Sequence, residues 1–536
     1  MGMTRSIVAI GMDAASRPLL ETWIEQGHLP ALAAIRARSS RARLRGSDIY
    51  RAETPWTCFL TGCEPEQTGY WSFVRFSPAE YSIEDIGAYR FTEYPPFYAL
   101  GDSHRVAVID VPQSRPVDTV DGLQVIAWGA HSPMAPAASR PAELMGEIER
   151  RFGRHPALLR DEATLWRPRE LERLERQLRV GIGRRADICE HLIRKERWDL
   201  FLTAFGETHA AGHYLWHRSQ PDHPLHRIFE PSDGDPLLRT YQEIDRAIAR
   251  IEASLPPDAY LVVFATEGME ANCMDLPSTV FLPELLYRHS LPGSLGLGVS
   301  GNGLGEIALP SRSWVPAVWG TQAGLSRLRR ALRRRLPSAL SYKLDRLWGR
   351  SAEDVLCPSE AGALGYQPTM WYRHLWPRMK AFALPSFSEG YVRINVKGRE
   401  ASGIVDAGDY DRLCDEVSAE IASLTDAHTG KPIVREVRRT RRSALDDTPG
   451  LPDADLVVRW MPLPTDTVDT RSWGRIGPLP YARAGSHTEE GFAWFAGPGI
   501  EGGTQLPDGR PASLAPTLLA MLGAPIPAYM KQPPLF

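Results

Sequence analysis

The sequence predicts an α/β fold in which a central, mostly parallel sheet carries helices on both faces. Three observations support this prediction. Strand-like apolar runs alternate with helical segments along most of the 536 residues. The runs SIVAIGMDAA, WDLFLTAFGE and AYLVVFATEG are apolar almost throughout, as strands buried on both faces are. Each run then ends in small or polar residues, and open parallel sheets bind their ligands at that end of the strands.

The individual elements follow in chain order. SIVAIGMDAA reads as the first strand, and RPLLETWIEQG follows it with the spacing of an amphipathic helix. TPWTCFLTG reads as a short helix, because Thr54 and Pro55 suit its first positions and Gly62 suits its end. A long amphipathic helix is predicted at 169–195. Further strands are predicted at 105–112, 123–129, 198–207, 259–268, 391–400 and 455–460.

The composition of the chain changes between about His289 and Leu384. Glycine and proline become frequent in SLPGSLGLGVSGNGLG, and the basic run RLRRALRRRLP follows. This composition is typical of an inserted segment rather than of buried sheet. We therefore predict a first part of the core over 1–288, an insertion or lid over 289–384, and a second part of the core over 385–536. The basic run is interpreted as a solvated helix face rather than an anion-binding surface.

Charge and cysteine content exclude several classes of function. The formal net charge is -3, and the basic run has no interleaved aromatic residues, so we expect no nucleic-acid partner. No apolar run approaches the length of a membrane span, so we expect no membrane partner. The six cysteines are scattered without a CxxC pair, which favours reduced thiols and a cytoplasmic protein.

The segment FGETHAAGHYLWH (205–217) concentrates side chains that bind metals. It begins where a predicted strand ends, and it carries Glu207, His209, His213 and His217. His209 and His213 are four residues apart, so they share one face if the segment is helical. Imidazoles so placed suit zinc, because each presents one nitrogen to a point between them. The alternative, a polar helix that binds nothing, stays open on spacing alone.

Other polar residues are predicted at the same edge of the sheet. Asp13 follows the first strand, Thr266 and Glu267 follow the strand predicted at 259–268, and His487 lies in a glycine-bounded turn. Each is an ordinary turn residue when taken alone. Together with the histidine segment, they indicate a ligand site at the carboxyl ends of the strands.

Thr54 has a second interpretation besides that of a helix cap. A hydroxyl at the start of a helix lies beside unpaired N–H groups and the positive end of the helix dipole, which suit a tetrahedral anion. If a cation lies nearby, such a hydroxyl can ionise and attack a substrate. We therefore predict Thr54 as the nucleophile, with Thr57 as the second choice.

These motifs resemble the alkaline phosphatase superfamily, in its branch of type I phosphodiesterases and nucleotide pyrophosphatases. The resemblance covers most of the chain. It implies an alkaline-phosphatase-like three-layer sandwich with two metal ions at the carboxyl edge of its sheet and a hydroxyl nucleophile between them. The segments that carry it are IGMDAA, TPWTCFLTGCEPEQTGYW, ETHAAGHYLWH, FATEGMEAN, INVKGREASGIV, GSHTEEGFAWFAGPGI and LAPTLLAMLGAPIP.

The resemblance assigns a role to each matching position. It implies that Asp13 binds the second metal, that Thr54 is the nucleophile, and that His213 and His487 bind the first metal. Relatives often carry the threonine four residues before the tryptophan, and that position is Ala52 in this sequence. The nucleophile prediction therefore departs from the family pattern by two residues.

Both metal sites also depart from the family pattern. Where the family has an aspartate four residues before His213, this chain has His209, and Glu207 is near enough to substitute. The Asp-His pair that holds the second metal in the family is here Thr266-Glu267. Threonine is a neutral and poor ligand, whereas glutamate can bind zinc or a harder cation. We expect one or two divalent ions, with Zn²⁺ as the expected metal.

The resemblance implies a metal-dependent hydrolase of phosphate esters that forms a covalent phosphothreonine. We expect Thr266 to contact a small-molecule phosphate ester or a related ester. His131 is either a second substrate contact or an ordinary loop histidine, and a homodimer stays open. Two alternatives remain. The same fold could serve a transferase or a sulfate-ester hydrolase, or the chain could be a catalytically silent member that binds a ligand, which Thr266-Glu267 favours.

Overall fold

A computed structural model describes most of the chain, namely residues 5–47, 49, 51–129, 135–158, 167–228, 234–297, 304, 314–319, 321, 340, 364–386 and 388–536. Its first strands are β1 (Ile7–Met12), β2 (Ser40–Arg45), β3 (Val74–Ser77), β4 (Ser82–Asp85), β5 (Gly101–Ile109), β6 (Val120–Ile126), β7 (Ala138–Arg140), β8 (Leu200–Phe205) and β9 (Tyr260–Ala265). The later strands are β10 (Gly268–Ala271), β11 (Ala381–Leu384), β12 (Gly390–Ile394), β13 (Thr425–Asp426), β14 (Val434–Arg439), β15 (Leu456–Trp460), β16 (Val468–Asp469), β17 (Arg475–Ile476), β18 (Gly485–Thr488) and β19 (Glu490–Ala496).

The described α-helices flank these strands. They span Arg17–Glu25, Pro30–Ala37, Pro55–Thr61, Pro65–Thr68, Leu144–Phe152, Pro168–Lys195, Glu207–Ser219, Pro236–Glu252, Leu282–Ser290, Trp314–Trp319, Tyr410–Ala422 and Leu514–Leu522. Shorter 3₁₀ turns lie at His226–Ile228, Pro368–Arg378, Ala407–Asp409 and Pro511–Ser513, and a π-helical turn lies at Pro277–Phe281. None of the helices within the described ranges is both long and apolar enough to cross a membrane.

An eight-stranded sheet forms the centre of the molecule, in the order β2-β19-β9-β1-β8-β5-β6-β7. β1 pairs in parallel with β8 and β9, and β5 pairs in parallel with β6 and β8. Of the eight strands, β19 and β7 run in the opposite direction, with β19 antiparallel to β9 and β2, and β7 antiparallel to β6. The predicted mostly parallel α/β sheet is confirmed.

Both faces of this sheet are covered, which gives three layers. Along β1 the side chains alternate, so that Val8 and Ile10 belong to one buried cluster while Ile7 and Ala9 belong to the other. The helices Pro168–Lys195, Glu207–Ser219 and Pro236–Glu252 contribute to the first cluster, and Pro55–Thr61 and Leu514–Leu522 contribute to the second. The continuous apolar runs in the sequence follow from burial on both sides.

The later predicted strands form a second sheet. β12 and β15, predicted as part of the returning core, lie in a four-stranded antiparallel sheet with the order β11-β12-β15-β14. Among the described strands after β9, β19 returns to the central sheet. Hydrophobic pattern identifies a strand but not the sheet in which it finds hydrogen-bonding partners. The division at 289 and 384 stays a prediction, and the basic run at 327–337 lies outside the described residues.

Candidate metal centre

Three histidines converge at the carboxyl edge of the central sheet. Nε2 of His209 lies 3.0 Å from Nε2 of His487 and 3.1 Å from Nε2 of His213. One potential ligand atom from each of the three lies within 4.8 Å of the other two, and all three side chains are buried. The predicted i, i+4 pair is helical, because both residues lie in Glu207–Ser219, directly after β8.

A glycine at position 485 allows the distant His487 to join this pair. His487 lies in β18, which pairs with β10 and passes against the helix Glu207–Ser219. A Cβ on Gly485 would lie 2.3 Å from the carbonyl oxygen of Gly212, closer than real Cβ atoms approach. The backbones therefore meet only because position 485 has no side chain. The N–H of Ala484 also donates to the carbonyl oxygen of His213 at 2.8 Å.

His213 is oriented by its surroundings. Its Nδ1 lies 2.7 Å from the carbonyl oxygen of Gly485, and an N–H donated there leaves Nε2 unprotonated, with a lone pair that can accept or bind a metal. Arg483 lies on the same side, with Nη1 3.0 Å from Nε2 of His213. Asp275 holds this guanidinium, accepting from Nε at 2.9 Å and from Nη2 at 2.8 Å. The cluster thus has a fixed positive charge beside it.

Glu207 does not join the histidines. It is fully buried, and its carboxylate accepts hydrogen bonds from Arg185 Nε at 3.2 Å and lies 3.0 Å from His155 Nε2. Burial alone would raise the pKa of Glu207, but Arg185 and His155 outweigh it and lower the pKa. The sequence suggested Glu207 as a substitute metal ligand. In the structure its carboxylate is instead the counterion of the buried Arg185.

The Glu207→Gln variant is expected to lower the free energy of unfolding by about 3 kcal/mol, because a buried guanidinium loses one of its carboxylates. Asp110 remains, 2.9 Å from Arg185 Nη1, and limits the loss. Urea unfolding measures the change. The matched control is Glu196→Gln at the more exposed pair with Arg105, where less than about 1 kcal/mol is expected. Loss of bound metal at unchanged stability would instead make Glu207 a ligand.

Asp13 lies directly after β1, as predicted, and is buried. Its Oδ1 accepts a hydrogen bond from Trp56 Nε1 at 2.6 Å, so the first strand is connected to the helix Pro55–Thr61. Gly11 makes this possible, because a Cβ there would lie 2.8 Å from the Trp56 ring. The sequence alone gave no reason to expect this hydrogen bond from Trp56.

The two candidate nucleophiles differ in their partners. Thr54 precedes the first turn of Pro55–Thr61, and its hydroxyl donates to the carbonyl oxygen of Arg51 at 2.8 Å. The Thr57 hydroxyl donates to Oε1 of Gln113 at 2.8 Å. Ala52, at the family's usual nucleophile position, donates its N–H to Ser388 Oγ at 3.3 Å. The choice between Thr54 and Thr57 stays a prediction.

Thr266 and Glu267, which stand where the family has the Asp-His pair of its second metal site, are both buried. Glu267 Oε2 lies 3.2 Å from Nδ1 of His487. Burial alone would lower the pKa of His487, but the Glu267 carboxylate outweighs it and raises the pKa. The Thr266 hydroxyl is fully buried and has no hydrogen-bond partner within the described ranges. His131, the other predicted substrate contact, lies outside the described residues.

Sequence reasoning missed Arg483 and Asp275. The stretch ARAGSH carries Arg483 four residues before His487, but nothing in a single sequence shows which way that guanidinium points. Asp275 follows β10 by four residues and reads as an ordinary turn residue. Their pairing depends on β10 and β18 lying side by side, which only the folded chain provides.

The fold and the site together define an α/β protein with a candidate metal centre at the carboxyl edge of its central sheet. The sequence matches the family described as type I phosphodiesterase / nucleotide pyrophosphatase over residues 7–322. This match covers more than half of the chain, so the chain belongs to that family of phosphoric-ester hydrolases, whose members depend on divalent metal ions.

Solved structures that align with this chain over nearly its whole length were also found. Phosphonoacetate hydrolase from Sinorhizobium meliloti 1021, in complex with phosphonoformate, is 12% identical, with a TM-score of 0.48 and coverage of 97% of this chain and 95% of that chain. Human ectonucleotide pyrophosphatase / phosphodiesterase 5 is 10% identical, with a TM-score of 0.46 and coverage of 98% and 96%. Both scores are below 0.5, so nothing about chemistry follows from them. No curated protein is similar enough in sequence to be matched.

The donor set of the histidine cluster fits a divalent ion. Two imidazole nitrogens bound to one tetrahedral zinc are about 3.3 Å apart, close to the 3.0 and 3.1 Å observed between the Nε2 atoms. The residues at the second metal position, Thr266 and Glu267, fit a divalent ion poorly. Thr266 is neutral, and the Glu267 carboxylate lies against His487. The described residues therefore support one ion better than two.

Proposed function

We propose that this chain hydrolyses phosphate esters at the cluster of His209, His213 and His487, with Thr54 as the nucleophile. One observation carries the proposal, namely the convergence of three buried imidazoles at the carboxyl edge of the sheet in a chain of this family. Three neutral ligands leave a coordination position open, as in catalytic zinc sites. We expect a small-molecule ester as substrate and a cytoplasmic location.

The three histidines would hold a single ion, with Zn²⁺ as the expected metal. When bound, the ion supplies positive charge that stabilises the phosphoryl oxygens. His213 is ready for this role because Gly485 accepts from its Nδ1 side. The Glu267 carboxylate beside Nδ1 of His487 would orient that ring in the same way.

Thr54 would supply the attacking oxygen. Its hydroxyl is held by the carbonyl oxygen of Arg51 and would turn from it toward phosphorus when a substrate binds. The Thr54 oxygen then forms a bond to phosphorus, the ester oxygen leaves with a proton, and water cleaves the phosphothreonine. The link between Asp13 and Trp56 fixes the helix that begins beside Thr54.

Arg483 would bind a non-bridging oxygen of the ester. Its guanidinium is anchored by two hydrogen bonds to Asp275, so it can present a further N–H group without losing its position. It lies within hydrogen-bonding distance of His213, so it reaches the same space as the histidine nitrogens. We propose that this fixed positive charge stands in for the poorly formed second metal site.

A catalytically silent, ligand-binding member is the second candidate. Ala52 replaces the hydroxyl that relatives often carry, and Thr266-Glu267 replaces the Asp-His pair. The Thr266 hydroxyl, buried and without a hydrogen-bond partner in the described part of the chain, would then contact the ligand. In that case Ala52→Thr would restore turnover that the unmodified chain lacks.

Metal content and an ester panel distinguish these candidates. We expect about one zinc per chain by elemental analysis and turnover of a p-nitrophenyl phosphodiester or monoester in preference to the sulfate ester. Treatment with 1,10-phenanthroline should abolish turnover, and added Zn²⁺ should restore it. Bound metal without turnover of any ester would favour the silent member. Preference for sulfate, or a product that requires an acceptor alcohol, would favour the two other chemistries of this fold.

A further inference from the structure

A cavity lies where the edges of the two large sheets meet. It encloses about 610 Å³, and none of the three clustered histidines lines it. β2 borders it from the edge of the central sheet, and β14 and β15 border it from the edge of the second sheet. The segments 507–513 and 532–535 contribute the remaining walls. A space of this volume is in the range of small-molecule sites.

Arginine side chains outnumber carboxylates in the walls of this cavity. Two carboxylates, Glu489 and Asp508, line the cavity together with five guanidinium groups. Glu436 and Glu64 pair with three of the same guanidinium groups at 3.1–3.7 Å, so five positive charges stand against four negative ones. The chain as a whole is slightly negative, so the excess is local. The five arginines are Arg45, Arg435, Arg438, Arg459 and Arg510.

The arginines already pair with carboxylates, but most of these pairs are at least partly open to solvent. Arg45 lies 3.2 Å from Asp508, with side chains 65% and 46% exposed. Arg435 lies 3.7 Å from Glu489, and its side chain is 57% exposed. Exposed pairs contribute little energy, so an anion of higher charge can take over their N–H groups. Arg459 is the most buried of the five and forms the fixed side of the cavity.

The lining indicates the class of ligand. The planar fork of a guanidinium matches the oxygens of a phosphate, and several forks around one space favour more than one phosphate group. Among the described residues that line the cavity there is no aromatic side chain on which a base could stack. We propose that this cavity binds a compact polyanion with two or more phosphate groups, recognised through those groups alone. The proposal does not depend on hydrolysis at the histidine cluster.

Calorimetric titration with inorganic tripolyphosphate tests the proposal. The double variant Arg435→Gln/Arg438→Gln removes two lining charges from an edge strand, and we expect binding at least about tenfold weaker. The matched control is Arg439→Gln/Arg442→Gln, which removes the same charge from the same stretch of chain outside the cavity. It should change the dissociation constant by less than about threefold.

A third variant, His213→Gln, separates the cavity from the metal centre and should leave tripolyphosphate binding unchanged. If Arg435→Gln/Arg438→Gln melts at a lower temperature than the unmodified chain, Arg510→Gln provides an independent test. It removes a different lining charge and should also weaken tripolyphosphate binding. ATP should bind no tighter than tripolyphosphate, because the lining offers no stacking surface. The proposal is overturned if the unmodified chain shows no saturable binding at about 150 mM salt. Equal losses in both double variants, or loss in His213→Gln, would also overturn it.

Discussion

Replacing Thr54 by alanine is expected to lower kcat for a p-nitrophenyl phosphoester on the order of 10⁴-fold, with a smaller effect on KM. The variant removes the oxygen that would form the bond to phosphorus, and loss of a nucleophile cannot be compensated by binding groups. Steady-state kinetics on the zinc-loaded chain measures the change. The helix Pro55–Thr61 should persist, because the Thr54 side chain makes no capping hydrogen bond to it.

Two further variants make this result specific to Thr54. Thr54→Ser keeps the oxygen and should retain activity within about tenfold. Thr57→Ala removes the neighbouring hydroxyl, which donates to Gln113, and should leave kcat nearly unchanged. If Thr57→Ala abolished turnover and Thr54→Ala did not, Thr57 would be the nucleophile. Full activity in both variants would mean that neither threonine is attacked.

Detection of a phosphothreonine intermediate is a second test of Thr54 as the nucleophile. Rapid acid quenching of the chain with a phosphoester should trap phosphate on the peptide that contains Thr54, because a covalent intermediate accumulates when its hydrolysis is slower than its formation. Mass spectrometry locates the phosphate. The Thr54→Ala chain provides the blank for this measurement.

Replacing His213 by glutamine is expected to weaken zinc binding by more than about 100-fold, because groups that only orient a ligand already change metal affinity by roughly 10- to 100-fold. His213 is central to the cluster, since Nε2 lies 3.1 Å from His209 and Nδ1 is held by Gly485. Turnover should fall in parallel with the bound metal. Elemental analysis after dialysis, together with a competition titration against a chromogenic chelator, measures the change.

His223→Gln is the matched control for this variant. His223 is also buried, and its Nε2 lies 3.1 Å from the carbonyl oxygen of Ala484, in the segment that carries His487. It does not belong to the cluster of ligand atoms. Burial lowers the pKa of His223 to about 4, so the ring is neutral at working pH and its replacement changes no charge. Equal zinc loss in both variants would show that packing, rather than ligation, holds the metal.

The local pattern of the sequence anticipated the elements that carry the site. The first strand appears where its apolar run placed it, and the helix that starts at Pro55 appears where Thr54, Pro55 and Gly62 placed it. The segment with His209 and His213, whose helicity the sequence left open, is a helix. The parallel sheet then accounts for the meeting of residues that are hundreds of positions apart, because parallel strands end at one edge. His487 joined the cluster as expected from the resemblance, and the family match supports the same class.

Side-chain partners could not be anticipated in the same way. Glu207 lies two residues before His209, so the two side chains point to opposite sides of the helix, and Glu207 contacts Arg185. The donors to its carboxylate come from segments for which the sequence suggested no role. Glu267 was placed at the correct edge, yet its carboxylate lies beside His487. The direction of a buried carboxylate is set by whichever cation lies opposite, and that is a property of packing.

Three features could be predicted from the sequence alone, namely a parallel α/β core, a hydroxyl at the start of a helix and a pair of imidazoles on one helical face. They could be predicted because they depend on neighbouring residues and on the repeats of two residues in a strand and 3.6 residues in a helix. Only the tertiary structure decided that β12 and β15 build a second sheet, that Arg483 and not Glu207 accompanies the histidines, and that five arginines line one cavity. Those outcomes depend on contacts between residues far apart in the chain. Such contacts are selected by the shape and charge of the folded core, which no local pattern encodes.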